Sequence, residues 1–333
     1  ILWPVHIQVA NHRMILVHFY HGIYLRIRKL NGVSLSSQLT KSNNGNCYCG
    51  RDFSCSEILW IKNLIETNPE LTRRAISTAV CREFEWVRPD GGLKDMSCRV
   101  AMLKMHRDGL ISLPPPKYTY RKRNVCLEIT SRSNPEAQIC VPAGRLGELR
   151  FHRVGCPEDS SLWNELIERY HYLGYTPLPG AQLRYLVYSE EDILVAALGF
   201  GAAAWKVAPR DRFIGWTPEQ RMNNLHLVVN NARFLILPWV TSRNLASRIL
   251  SGVARCIQKH WAEKYNYEPV LLETFVETAW FHGTCYRAAN WIYVGQTKGR
   301  GKLDRKHTNS KPVKDIFIYP LDKQFRCSIC SNP

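Results

Sequence analysis

The stretch LLETFVE (residues 271–277) places an acidic side chain in the middle of an apolar run, where it could take part in chemistry. The run has the length and the residue types of a buried strand, so Glu273 is expected to lie inside the protein. A buried carboxylate is costly unless it has a partner, and Arg233 in the neighbouring predicted strand is a candidate. Glu273 is therefore either a reactive carboxylate or one half of a structural ion pair with Arg233.

Three more side chains are able to do chemistry, and we expect them to converge with Glu273 at the strand ends: His171, Cys285 and Tyr286. Tyr286 lies beside Arg287, so the pair could supply a nucleophile and a cation that stabilises developing negative charge. The alternative is that Tyr286 belongs to the core or its rim, as most tyrosines on short helices do. No set of carboxylates has a spacing that suggests a metal site. The candidate catalytic residues are thus Glu273, Tyr286, His171 and Cys285.

The elements that must position these residues alternate in type over residues 230–300. Apolar runs predict strands at 234–237, 270–276 and 291–294. An amphipathic segment at 244–265 and a short helical piece at 286–289 separate these runs. This order indicates a β-α-β unit with parallel pairing. Upstream, the runs LRYLVYS and ILVAALGFGAAAW predict two strands in a hairpin joined at residues 190–192.

An antiparallel start followed by strand, long helix, strand, short helix and strand resembles the GNAT acyltransferase fold. In GNAT enzymes, backbone N–H groups of a glycine-containing loop at the start of the long helix hold the CoA pyrophosphate. The corresponding stretch here, TSRNLAS (241–247), keeps Arg243, but Ala246 and Arg248 occupy the two glycine positions. We therefore predict no CoA or other cofactor, and acetyltransferase activity is the third of three functional alternatives.

A narrower resemblance rests on the motifs RFLILP, ETFVE, GTCYRAANW, GQTKGRGK and KDIFIYPLDKQFR. They resemble the family of the Druantia anti-phage protein DruA, which also has relatives near mobile elements. The resemblance runs from about Cys49 to Arg326. The resemblance implies a role in bacterial anti-phage defence, together with partner proteins such as a helicase. The mobile-element relatives give the second alternative, a transposase-like enzyme that cleaves a DNA strand through Glu273 or Tyr286.

Three predicted helices precede this domain. Ser54, with Glu57 three residues later, can cap the first helix, and Thr72 can cap the second. The third helix is predicted from about residue 93 to 107, and a short strand is predicted at 109–114. Its apolar face is expected at Met96, Val100, Leu103 and Met105. Three helices and a strand resemble a winged helix-turn-helix domain, and the alternative is a three-helix interaction domain.

In a winged helix-turn-helix domain, the start of the third helix faces the bases of the major groove. The base-reading candidates are Lys94, Ser97 and Arg99. The candidate phosphate contacts are Arg73, Arg74, Lys104 and Arg107. A basic loop with glycines could clamp a phosphate backbone through Arg300, Lys302 and Arg305, or be an exposed loop without that role. The net charge of +17, from 45 Lys and Arg against 28 Asp and Glu, favours a polyanionic partner.

The composition restricts the protein class. With 333 residues and 45% hydrophobic residues, the chain is expected to be globular, and no run of about 18 apolar residues predicts a membrane span. Its 12 cysteines are expected to be reduced thiols in a cytoplasmic protein. Cys47-x-Cys49 and Cys327-x-x-Cys330 would form a zinc site only if the two ends of the chain met, so no metal is predicted.

The predicted fold class is α+β, with a winged helix-turn-helix-like helical domain followed by a GNAT-like mixed α/β domain. Residues 1–46 are a poorly defined extension, 47–116 the helical domain and 117–145 a linker. Residues 146–326 form the GNAT-like domain, and 327–333 are a tail.

Overall fold

The computed structural model describes residues 46–117, 127–299 and 311–331. The chain divides into two compact units, and both contain parts of the predicted helical domain. Among the described residues, the first unit comprises 46–71 and 99–114. The second comprises 72–98 and the described residues from 115 onward. The predicted extension lies almost entirely outside the described residues, and the predicted domain boundaries stay a prediction.

The first unit begins with a short antiparallel hairpin, β1 (Asn46–Tyr48) and β2 (Arg51–Phe53), followed by helix α1 (Cys55–Thr67). The predicted capping box is confirmed, since Ser54 Oγ accepts from the Glu57 N–H and the Glu57 side chain accepts from the Ser54 N–H. These contacts satisfy two of the backbone donors that a helix start leaves free. Helix α1 buries Ile58 and Ile61.

Helix α2 (Arg73–Glu83) belongs to the second unit and begins as predicted, because Thr72 Oγ1 accepts from the Ala75 N–H at 3.2 Å. Its buried face contains Ile76, Val80 and Cys81. The spacing of these residues places them on one side of the helix.

Helix α3 (Asp95–Arg107) confirms the third helix, but its predicted apolar face was wrong in two positions. Met96 and Val100 are 60% and 42% exposed. The buried stripe consists of Cys98, Ala101, Met102 and Met105. Positions 98, 101, 102 and 105 follow the helical repeat, whereas a residue two positions from Cys98 points to the opposite side.

The strand predicted at residues 109–114 is absent, because no strand occurs between α3 and residue 117. The Leu113 N–H donates instead to His106 Nδ1 at 3.3 Å.

A seven-stranded sheet forms the centre of the second unit, in the order β10-β11-β9-β7-β6-β5-β4. Its strands are β4 (Arg150–Arg153), β5 (Leu183–Tyr188), β6 (Leu194–Ala202), β7 (Val228–Ile236), β9 (Leu271–Glu277), β10 (Ile292–Gln296) and β11 (Lys314–Pro320). All neighbours are antiparallel except β7 and β9, which are parallel. The predicted hairpin and β-α-β unit are therefore confirmed, and the architecture is mixed α and β with a GNAT-like strand order.

The second unit contains further helices besides α2. They are α4 (Pro157–Tyr170), α5 (Ala208–Ile214), α6 (Pro218–Asn224), α7 (Leu245–Tyr265), α8 (Thr284–Ala288) and α9 (Phe325–Ile329). The long helix α7 connects β7 to β9 and buries an apolar stripe that includes Ile249, Val253, Ile257 and Trp261. Its neighbours in the core include Trp163 of α4 and Leu198 of β6. Among the described residues, no helix combines the length and hydropathy needed to cross a bilayer.

Candidate functional site

A cavity of about 620 Å³ lies where the parallel strands β7 and β9 separate. The two strands are paired from Val228 with Leu271 to Asn231 with Thr274, and residues of both strands beyond this last pair line the cavity. The other walls come from the end of α4, from α8 and the loop before it, and from Lys314 of β11. The predicted β-α-β unit thus forms a concave site at the ends of its two strands.

Three of the four predicted catalytic residues line this cavity: His171, Cys285 and Tyr286. His171 follows the last residue of α4, and its Nδ1 accepts from the Leu173 N–H at 3.2 Å. Burial, together with the positive charges of Arg233 and Lys314, lowers the pKa of His171 to about 4. The imidazole is therefore neutral at pH 7, in a positive electrostatic environment.

Tyr286 is held in the core by its hydroxyl and by its ring. The hydroxyl donates to Asn231 Oδ1 at 2.8 Å, and the ring stacks on Phe317 with centroids 5.8 Å apart. Burial raises the pKa of Tyr286 far above the neutral range, so a tyrosinate is disfavoured here. The Arg287 Cζ atom lies 5.3 Å from the ring centroid of Tyr293 and 5.1 Å from that of Phe317. The Thr274 hydroxyl donates to the Tyr286 oxygen at 3.4 Å, and this enclosed geometry fits the core alternative.

Cys285 is half-buried on the same short helix as Tyr286. Burial raises the pKa of its thiol, which reduces the thiolate fraction and with it the nucleophilicity at neutral pH. Cys285 contributes shape and polarisability to the cavity wall rather than an activated sulfur.

The predicted ion pair between Glu273 and Arg233 was wrong, because Glu273 pairs with Arg210. Arg210 Nη1 donates to Glu273 Oε2 at 2.8 Å, and neither side chain has any exposed area. The Ala204 N–H donates to the other carboxylate oxygen at 2.9 Å. Burial raises the pKa of Glu273, and the Arg210 charge opposes that rise. Glu273 does not line the cavity.

The contacts of the two arginines account for this correction. Asn230 of β7, not Arg233, lies directly opposite Glu273 in the parallel ladder. Arg233 lies three residues further along, beyond a register shift in β7, and its guanidinium donates to the Ala232 carbonyl and to Thr176 Oγ1. Arg210 comes from α5, and it also pairs with Asp211 at 2.8 Å, which accepts from Trp216 Nε1 at 3.1 Å. Glu273 is thus the centre of a structural network outside the cavity lining.

Arg233 lines the cavity together with Lys314. Its guanidinium donates to the Ala232 carbonyl and to Thr176 Oγ1, each at 2.8 Å, and its buried Nε has no hydrogen-bond partner among the described residues. Lys314 lies 3.6 Å from Glu277, which does not line the cavity. Neither residue was predicted to be a cation of the cavity, although an arginine at the start of the apolar run RFLIL was a usable signal.

The start of helix α7, where the resemblance to GNAT enzymes places a pyrophosphate, contacts an upstream segment of the same chain. Strand β3 (Ile139–Cys140) pairs with β8 (Val240–Thr241) in the turn before α7. Arg248, in the first turn of α7, donates to the carbonyls of Ala143 and Gly147. The residue at a predicted glycine position therefore binds the protein's own backbone.

Among the described residues, no group of three or more His, Cys, Asp or Glu side chains is arranged to hold a metal ion.

A sequence profile of the family described as Druantia protein DruA matches residues 104–324, well over half of the chain. The chain belongs to the DruA family. The family resemblance carried by motifs such as RFLILP and GTCYRAANW is thus confirmed. A search of curated proteins found no match to this DruA-family chain.

Solved structures of spermidine N-acetyltransferases from Vibrio cholerae are similar to part of this DruA-family chain. The SpeG complex with manganese ions is 10% identical, covering 54% of this chain and 97% of that one at a TM-score of 0.35. The complex with CoA and spermine is 10% identical, and the match covers 53% of this chain and 98% of that one at a TM-score of 0.34. TM-scores this low carry no conclusion, so the GNAT-like description rests on the order and direction of the strands.

The predicted nucleic-acid contacts differ in their exposure in this DruA-family chain. Arg74 of α2 and Lys104 and Arg107 of α3 are exposed. Arg73, Lys94, Ser97 and Arg99 are half-buried. Burial lowers the pKa of Lys94, and the Lys94 charge adds to burial in lowering the pKa of His226. The predicted loop residues Arg300, Lys302 and Arg305 lie outside the described residues.

Proposed function

We propose that this protein is a DNA-binding component of a bacterial anti-phage defence system. It acts in the cytoplasm with other proteins of that system, a helicase among them. Membership of the DruA family supports the role in defence. The net charge of +17 supports a polyanionic partner, because a surplus of cations attracts phosphate backbones over long distances.

Helix α3 is the proposed DNA-binding element, as the third helix is in a winged helix-turn-helix domain. Lys104 and Arg107 are exposed, lie one turn apart on α3 and belong to the same compact unit. We assign both residues to phosphate contacts, and we propose a phosphate contact separately for the exposed Arg74 on α2 of the second unit. Lys94, Ser97 and Arg99, all half-buried, remain the proposed base-reading residues.

The enzymatic alternatives gain no support from the contacts of Glu273 and Tyr286. Glu273 is occupied by Arg210 and the Ala204 N–H, and the Tyr286 hydroxyl donates to Asn231. A strand-cleaving role for either residue would need these contacts to break. We also propose that the domain does not use acyl-CoA, because Arg248 binds backbone carbonyls at the expected pyrophosphate position.

A pair of matched double variants tests DNA binding. Lys104→Ala/Arg107→Ala removes one Lys and one Arg from α3. Arg255→Ala/Lys259→Ala removes the same two residue types from exposed positions of α7. At about 0.1 M salt, loss of two phosphate contacts weakens duplex binding by up to about 60-fold, while the α7 variant binds like the wild type. Fluorescence anisotropy with a labelled duplex measures both affinities.

The same variants can be tested in a phage plaque assay with the complete defence system. The α3 variant is expected to lose protection and the α7 variant to keep it. Equal duplex affinity of the two variants would contradict the assignment of DNA binding to α3. Lost protection with unchanged duplex affinity would point to a role of α3 in contacting a protein partner.

A further inference from the structure

The cavity between β7 and β9 has the features of a site for an unpaired nucleotide. We propose that it binds one nucleotide of a single-stranded nucleic acid, with the base against Tyr172 and Phe281 and a phosphate at Arg233 and Lys314. This site uses none of the residues proposed to bind duplex DNA, and it does not depend on that proposal.

Two exposed aromatic rings line the cavity. Tyr172 and Phe281 are 43% and 48% exposed, and their ring centroids lie 5.2 Å apart at an interplanar angle of 63°. Exposed rings in a basic groove are the surface on which single-stranded nucleic acids stack their bases. A base in a duplex is already paired and stacked, so this surface suits an unpaired base.

The polar lining of the cavity is cationic. Arg233 and Lys314 line it, and none of the described lining residues is an aspartate or a glutamate. The depressed pKa of His171 reports the same positive field, since the charges of these two cations add to the effect of burial. A phosphate entering the cavity would meet two cations and no lining carboxylate.

Two buried polar atoms of lining residues have no hydrogen-bond partner among the described residues: Arg233 Nε and Asn230 Oδ1. Buried polar groups are normally hydrogen-bonded, so unmet atoms in a cavity wall indicate a ligand with complementary groups. Arg233 Nε can donate to a phosphate oxygen. Asn230 Oδ1 can accept from the N–H group of a base.

The volume of the cavity also suits one nucleotide. About 620 Å³ falls within the range of small-molecule sites, which is enough for one nucleotide. The exposed positions of Tyr172 and Phe281 place solvent next to the base, so the rest of the strand can continue outside the cavity.

Binding of a labelled oligothymidine of about 12 nucleotides, within the range of known single-strand sites, tests the proposal by fluorescence anisotropy. Tyr172→Ala and Phe281→Ala are each expected to weaken binding by about 5- to 150-fold, the effect of losing one stacked base. Tyr293→Ala is the control, because Tyr293 is 42% exposed and does not line the cavity. Lys314→Gln should make the salt slope of binding shallower by about 0.7.

Ultraviolet cross-linking locates the site without relying on variants. An oligonucleotide carrying 5-iodouracil is cross-linked to the wild-type protein, and peptide mapping identifies the attached residue. Attachment at Tyr172 or Phe281 supports the proposal. Attachment only elsewhere, or equal binding by the cavity variants and Tyr293→Ala, would overturn it.

Competition with two small ligands shows whether the cavity prefers a single strand or a free anion that contains a nucleotide. Thymidine monophosphate or CoA that binds as tightly as the oligonucleotide would overturn the proposal in favour of a free small molecule. The α3 variant Lys104→Ala/Arg107→Ala should keep its single-strand affinity, so failure of this site and failure of duplex binding can be distinguished.

Discussion

Replacing Glu273 with Gln is expected to destabilise the second unit, because it breaks an ion pair that solvent does not reach. Arg210 Nη1 and Glu273 Oε2 are 2.8 Å apart, and both side chains have 0% exposed area. Glutamine has the same shape but only one oxygen, whereas Glu273 accepts through both of its oxygens. In Glu273→Gln, the amide NH₂ would therefore face either the Ala204 N–H or the Arg210 guanidinium.

The expected loss in the free energy of unfolding depends on the contacts that Arg210 keeps. Breaking a buried ion pair by removing one partner costs about 3–5 kcal/mol. Arg210 keeps its contact with Asp211 at 2.8 Å, which places the expected loss at the lower end, about 3 kcal/mol. For a domain of this size the thermal midpoint should fall by about 6–12 °C. Urea unfolding and calorimetry measure the two quantities.

Glu277→Gln is the matched control on the same strand. Glu277 lies 3.6 Å from Lys314, and 11% and 25% of these two side chains are exposed, so the loss of this longer, partly solvated pair should cost less than the loss of the Glu273 pair. If Glu273→Gln unfolds like Glu277→Gln while defence activity disappears, the structural role of Glu273 is refuted and a chemical role follows. A large stability loss in Glu273→Gln alone supports the ion-pair account.

Three further predictions concern the cavity and the core. The pKa of His171 falls from its ordinary value of 6.5 to about 4 on folding, so the unfolded chain binds more protons between these values and stability should drop as pH falls from about 6.5 to 4. His171→Gln should show a smaller drop in urea midpoints over that window, and identical pH curves would contradict the role of burial and the two facing cations. Gly199→Ala should cost about 1–3 kcal/mol, since its Cβ would lie 2.8 Å from Trp163, whereas Gly201→Ala, with nothing closer than 3.7 Å, should unfold almost like the wild type. Titration calorimetry with acetyl-CoA should give no saturable heat, and saturable binding would contradict the account of Arg248.

Local signals predicted most of the secondary structure. The capping box at Ser54, the cap at Thr72 and the apolar runs of β6 and β9 each depend on residues close in sequence. The β-α-β order was predictable as well, because a long amphipathic helix between two buried strands favours parallel pairing. The predictions failed where they depended on which face of a helix a side chain occupies. Met96 and Val100 were assigned to the buried face of α3 although Cys98 and Met102 define it.

Long-range partners could not be predicted from the sequence. Glu273 and Arg210 are 63 positions apart, and no local pattern indicates that α5 delivers an arginine to the middle of β9. Of the four residues expected to converge at the strand ends, His171, Cys285 and Tyr286 line the cavity, whereas Glu273 does not. The cavity's chemistry was not predictable, because Tyr172 and Phe281 meet only in the folded chain.

The salt dependence of duplex binding by the full chain tests the central proposal most directly. A plot of the logarithm of the association constant against the logarithm of salt concentration should be linear, with a slope of about −0.9 for each phosphate contact. For Lys104→Ala/Arg107→Ala the line should be shallower by about 1.8, and for Arg255→Ala/Lys259→Ala it should coincide with the wild type. A wild-type slope near zero, or the same slope for all three proteins, would contradict DNA binding through the cations of α3.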